Sequence, residues 1–164
     1  MPTIPRRWPV EVESERAQAL HEATEATCYL QEALKRTDNA RSKVYANQNL
    51  ATILLSDTSR STSQAMTCLE RIQRFLSVSK AKQVSGRWPI GVSKQRDEAH
   101  VTAEEAMKLL MKTQDKARMA QDKITLNPGL VETMIADIAN LQAYAITLTE
   151  RINRLLTEAA IGRD

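Results

Sequence analysis

Cysteine is almost missing from this chain: Cys28 and Cys68 are the only two in 164 residues. Two cysteines exclude a disulfide scaffold, and the expectation is a pair of small, buried or half-buried thiols. Aromatic residues are equally sparse, with two Trp, three Tyr and one Phe. Sheets lean on aromatic and β-branched side chains, so this balance favours helix over strand. Four Gly and five Pro leave little material for turns or for low-complexity linkers. No apolar run approaches the roughly 20 residues that cross a bilayer, so no membrane partner is expected. The segment Met1-Pro2-Thr3-Ile4-Pro5-Arg6-Arg7 is basic but lacks an apolar stretch, and it does not read as a classical secretory signal. A cytoplasmic setting, or the interior of a viral particle, is the expectation. The net charge of +3 is too mild to argue for a nucleic-acid partner by itself.

Catalytic patterns are also missing. His21 and His100 are the only histidines, and neither stands three residues after a glutamate in the Glu-x-x-His manner of bundle di-iron sites. There is no Cys-x-x-Cys-His and no Gly-rich phosphate loop. No cofactor, no metal and no enzymatic activity are expected.

What the chain does have is a repeat. Arg7-Trp8-Pro9 returns as Arg87-Trp88-Pro89, 80 positions on, and these two tripeptides hold both tryptophans. At the same offset Glu70-Arg71-Ile72-Gln73-Arg74-Phe75-Leu76 meets Glu150-Arg151-Ile152-Asn153-Arg154-Leu155-Leu156. With no gap, about one aligned position in four is identical, which marks a tandem duplication of one helical unit.

Within each copy the apolar spacing is helical. Ala23, Ala26, Leu30, Ala33, Thr37, Ala40 and Val44 alternate steps of three and four, as do Ala103, Ala106, Leu110, Thr113, Ala117, Ala120 and Ile124. The next segments carry Leu54, Thr58, Ser61, Ala65, Cys68, Ile72 and Phe75, then Met134, Ile138, Leu141, Ala145, Leu148, Ile152 and Leu155. Thr58 and Ser61 make a polar dip in the first copy, which suggests that partners complete its order. Asn127-Pro128-Gly129 reads as an N-cap followed by a first helical residue, and Asn47 matches it.

The reading is therefore all-α. A long helical hairpin is duplicated in tandem and folds as a pseudo-twofold antiparallel four-helix bundle. Repeat 1 spans 1–80, with an extended arm over 1–11 and helices near 12–46 and 48–78. Repeat 2 spans 81–164, with an extended linker over 79–92 and helices near 93–125 and 128–160. Two extended hairpins completed by neighbouring chains would be the alternative arrangement.

Arg71, Arg74, Lys80, Lys82, Arg87, Lys94 and Arg96 fall in a stretch without a single acidic residue. In an up-down bundle that stretch meets Arg7, Trp8, Arg151 and Arg154 at one end. The simplest use of the two Trp residues is as apolar lids over the open bundle. The alternative use is docking, since Trp and Arg are common interface anchors. These eleven residues together with Trp88 are the candidate docking set. The expected function is a non-enzymatic structural or assembly protein, a subunit of a larger particle such as a viral or phage virion. Its partners would be protein subunits of the same or a different kind. A nucleic-acid-binding protein using residues 71–96 is the alternative.

Overall fold

A computed structural model describes the backbone of residues 10–81 and 90–161, with side chains for 14, 16–76 and 94–157. It contains four helices, α1 (Val10–Lys43), α2 (Gln48–Ala81), α3 (Ile90–Lys123) and α4 (Pro128–Ile161). Each is 34 residues long, which makes rods of about 50 Å at 1.5 Å rise per residue. The arm and most of the linker, including Arg7, Trp8, Lys82, Arg87 and Trp88, lie outside the described residues.

A single asparagine makes each hairpin turn. The Asn47 N–H donates to the Lys43 carbonyl at 2.8 Å and closes α1. Its side-chain oxygen accepts from the Leu50 N–H at 3.1 Å, and its carbonyl accepts from the Ala51 N–H at 3.0 Å, so it also opens α2. Asn127 repeats the arrangement. It donates to Lys123 at 2.8 Å and accepts from the Leu130 and Val131 N–H groups, both at 3.1 Å. Pro128 is the first residue of α4, where its missing N–H costs nothing. Asn127→Ala is expected to cost about 1 kcal/mol, the usual value of an N-cap, and chemical denaturation of the variant measures it.

The tight turns make neighbours in sequence antiparallel neighbours in space. Around the bundle α1 packs on α2 and α4, and α3 packs on α2 and α4, while the diagonal pairs stay apart. The chain therefore closes its own bundle, with no need for neighbouring chains to complete either hairpin.

The core is a ladder of layers. Along α1 the ladder is Ala19, Ala23, Ala26, Leu30, Ala33, Thr37 and Ala40, with Val44 just past the helix end; along α3 it is Ala99, Ala103, Ala106, Leu110, Thr113, Ala117 and Ala120, with Ile124 just past the end. These are the expected seams, each extended by one turn. In α2 and α4 the apolar face is right but one of its two columns differs. The central positions are Ala51, Leu55, Thr58, Thr62, Ala65, Leu69, Ile72 and Leu76, and then Val131, Ile135, Ile138, Gln142, Ala145, Thr149, Ile152 and Leu156. Leu54, Phe75, Leu141 and Leu155 are only partly buried and flank this ladder, whereas Ser61, Cys68, Met134 and Leu148 lie beside it and are buried. Small alanines on α1 and α3 let the backbones approach, and the leucines and isoleucines of α2 and α4 fill the layers between.

The apolar core is divided in two. One cluster runs from Ala19 to Leu30 with Ala65 to Leu76, Ala99 to Leu110 and Ala145 to Leu156. The other runs from Ala40 to Leu55 with Ala117 to Ile138, at the turn end. Between them lies a polar layer. Thr37 Oγ1 is 2.9 Å from Thr58 Oγ1 and 2.8 Å from Gln142 Oε1, and the Thr58 hydroxyl donates to the Ala33 carbonyl at 2.7 Å. Arg36 donates to Ser61 Oγ at 2.9 Å. The polar dip at Thr58 and Ser61 thus finds its partners inside the chain, on α1.

Candidate docking surfaces

The end of the rod away from the turns gathers the candidate basic residues, but not as one positive field. Arg71 and Arg74 stand in the last turns of α2, and Arg151 and Arg154 occupy the same part of α4; all four are exposed. Lys94 is exposed near the start of α3. Lys80 belongs to the last turn of α2, and its side chain lies outside the described residues. The first turns of α1 at this same end contain Glu11, Glu13 and Glu15, and α3 brings Asp97 and Glu98. Acids at helix N-termini and bases at helix C-termini are what the helix dipoles favour. A stretch without acids in the sequence therefore becomes an end of mixed sign in space.

Two of this end's arginines are buried. Arg96, one of the candidate docking residues, is 6% exposed and donates to Asp97 Oδ1 at 2.8 Å. Arg16 is 7% exposed and donates to the Leu156 carbonyl at 3.2 Å, tying α1 to α4. Each stands three residues before the first alanine of its ladder, so its aliphatic stem covers the last core layer while the guanidinium finds polar partners at the rim. Arg71 reaches Glu22 Oε1 at 3.4 Å across the α1–α2 seam. His21 and His100 lie one turn before Glu25 and Glu104, at 3.8 Å and 3.4 Å.

The two thiols have separate environments and are both free. Cys28 is exposed, in a groove between α1 and α4 lined by Thr24, Thr27, Asn153 and Arg154. The expectation of two buried or half-buried thiols holds for Cys68 alone, because Cys28 is displaced from the core ladder and points between Ala26 and Leu30. Burial is the main reason the Cys68 thiol is pushed up from 9.0 to about 12, and a hydrogen bond to Glu22 adds to it. Native protein is expected to release one fast thiol to a thiol reagent, from Cys28, and a second only on unfolding. Folding favours the protonated Cys68, whereas the unfolded chain ionises first. Its contribution is thus complete below pH 9 and is lost as the pH rises from 9 towards 12. Denaturation of wild type and Cys68→Ala across that range isolates the effect.

Sequence patterning missed the other end. Leu126 in the α3–α4 turn is 83% exposed, Tyr45 in the α1–α2 turn 66% and Leu130 at the start of α4 41%. The two turns meet, since the Tyr45 hydroxyl lies 3.6 Å from where a Cβ on Gly129 would stand. Ile53 and Met119, within about two turns of this tip, are exposed as well. Heptad spacing carries no information about turn residues, so only the unusual placing of Tyr and Leu beside the capping asparagines marked this tip in the sequence.

The chain matches no known family, no curated protein and no solved structure. Among the described residues there is no cluster of His, Cys, Asp and Glu that could hold a metal, and no helix is long and apolar enough to cross a membrane.

Proposed function

We propose that this chain is a structural protein, a rigid spacer-like rod that builds a larger assembly by docking through its ends. The observation that carries this reading is the apolar tip: Tyr45, Leu126 and Leu130 are large, exposed and placed on two turns that meet. Exposed apolar groups gathered in one place are the usual mark of a protein-contacting surface. The opposite end, with the exposed Arg71, Arg74, Arg151 and Arg154, is the second docking region.

In this reading the rod arose by tandem duplication and has pseudo-twofold symmetry. Its support is that helix bounds, capping asparagines and buried ladder positions all return at the same spacing of 80 residues. Nucleic-acid binding through residues 71–96 has less support, because Arg71 is paired with Glu22 and the buried Arg96 with Asp97.

Light scattering coupled to size exclusion tests the assembly claim. The expected mass is a multiple of the 18.4 kDa chain, falling when Tyr45, Leu126 and Leu130 are all replaced by Ser. A mass of one chain at every concentration, with no change in the triple variant, would overturn it.

A further inference from the structure

The polar layer at mid-rod has two atoms that find no protein partner although both side chains are fully buried: Thr62 Oγ1 and Gln142 Nε2. Thr62 is the exception among the described helical threonines. The hydroxyls of Thr24, Thr27, Thr37, Thr113 and others donate to the carbonyl four residues back, and those of Thr58 and Thr149 find other carbonyls. Thr62 Oγ1 takes none of these bonds, so its rotamer turns the hydroxyl away from its own backbone and into the bundle.

The Gln142 head is brought to the same place. It reaches across from α4 to Thr37 on α1 at 2.8 Å, and Thr37 is 2.9 Å from Thr58 on α2. Thr62 follows Thr58 by one turn on the same buried face. The residues that share this level in the ladder, Ala33 and Thr113, are small and fully buried. Proton counting points the same way. Thr37 has one proton and two acceptors at 2.8 Å, the Ala33 carbonyl and Gln142 Oε1. Turning the Gln142 amide would let its nitrogen donate to Thr37, and its oxygen would then be the free atom. In either orientation one atom of the amide is left without a protein partner beside an unpartnered hydroxyl.

We infer that this layer is a binding site for one internal water molecule, bridging Thr62 Oγ1 to the Gln142 amide. Direct bonding is ruled out because neither atom has a partner within hydrogen-bonding reach, whereas a water spans a wider gap with two bonds. Water is both donor and acceptor, so it serves either amide orientation, and buried water commonly satisfies polar groups that the protein leaves over. The bridge ties α2 to α4, the diagonal pair whose backbones do not approach each other closely. It gives the middle of the rod a polar key that only one register of the four helices completes.

A high-resolution crystal structure of the whole chain, together with the melting temperatures of Thr62→Val and Thr62→Val/Gln142→Met, tests the site. The expected map shows one water within hydrogen-bond distance of both groups. Thr62→Val keeps the shape but removes one of the water's anchors, so its melting temperature is expected to fall, and the double variant is expected to be dry and to recover part of the loss. Absence of the water in the wild-type map, or a Thr62 hydroxyl bonded to the Thr58 carbonyl, would overturn the inference. A rise in melting temperature for Thr62→Val would do so too, because that is the response of a hydroxyl left unsatisfied.

Discussion

Leu110→Ala is expected to destabilise the bundle by about 2–5 kcal/mol, the range for a large side chain removed from a core that cannot fully collapse. Leu110 has no exposed surface and belongs to the longer of the two apolar clusters, among Leu30, Ala65 and Ala145 and their neighbours. The cluster around it includes Ala65, Ala103, Ala106 and Ala145, side chains too short to move in and fill the space. The same substitution at Leu126, 83% exposed, is expected to change stability by no more than about 0.5 kcal/mol. Urea denaturation followed by circular dichroism measures both. Equal losses at the two positions would mean that the turn leucine is packed in solution and that the tip is not the open surface described above.

The contrast between those leucines shows what the sequence could and could not convey. In α1 and α3 the seam was legible because its alanines are flanked by Glu, Lys, Gln and Arg, so only one face can be buried. In α4 two columns of apolar residues share Ile138, Ala145 and Ile152. Met134, Leu141, Leu148 and Leu155 make one column; Ile135, Gln142, Thr149 and Leu156 make the other. Hydrophobicity favours the first column, since it lacks polar residues. The fold centres the second, since Gln142 reaches Thr37 and Thr149 reaches Thr27 at 2.7 Å, across the α1–α4 seam. Long-range hydrogen bonds decide which column is central, and periodicity in one helix does not encode them.

The docking surfaces were less legible for a related reason. Charge along the chain is a one-dimensional record, while antiparallel packing sets the end of α2 beside the start of α1. Arg71 therefore meets Glu22, which lies 49 residues away in the sequence. The acid-free run from Arg71 to Arg96 was real, but its electrostatic meaning depended on which helix ends it met.

Ala106→Leu is the second large expected effect, and it works in the opposite direction from the loss at Leu110. Ala106 is fully buried in the same cluster, one turn before Leu110 on the same face of α3. A leucine there is forced against backbones that approach because the position is small, at a cost of about 1–3 kcal/mol. Denaturation of this variant alone would separate overpacking from simple loss of an alanine, because helix propensity changes by only a few tenths of a kcal/mol. The double variant Ala106→Leu/Leu110→Ala is the sharper measurement. Residues four apart on a helix are neighbours, so the new leucine can lean into the space that the old one leaves. The double variant is expected to lose less than the sum of the single losses, with a coupling of about 0.5–3 kcal/mol. Strict additivity would show that the layers of the ladder are walled off from one another, so that total core volume does not govern the stability of this rod.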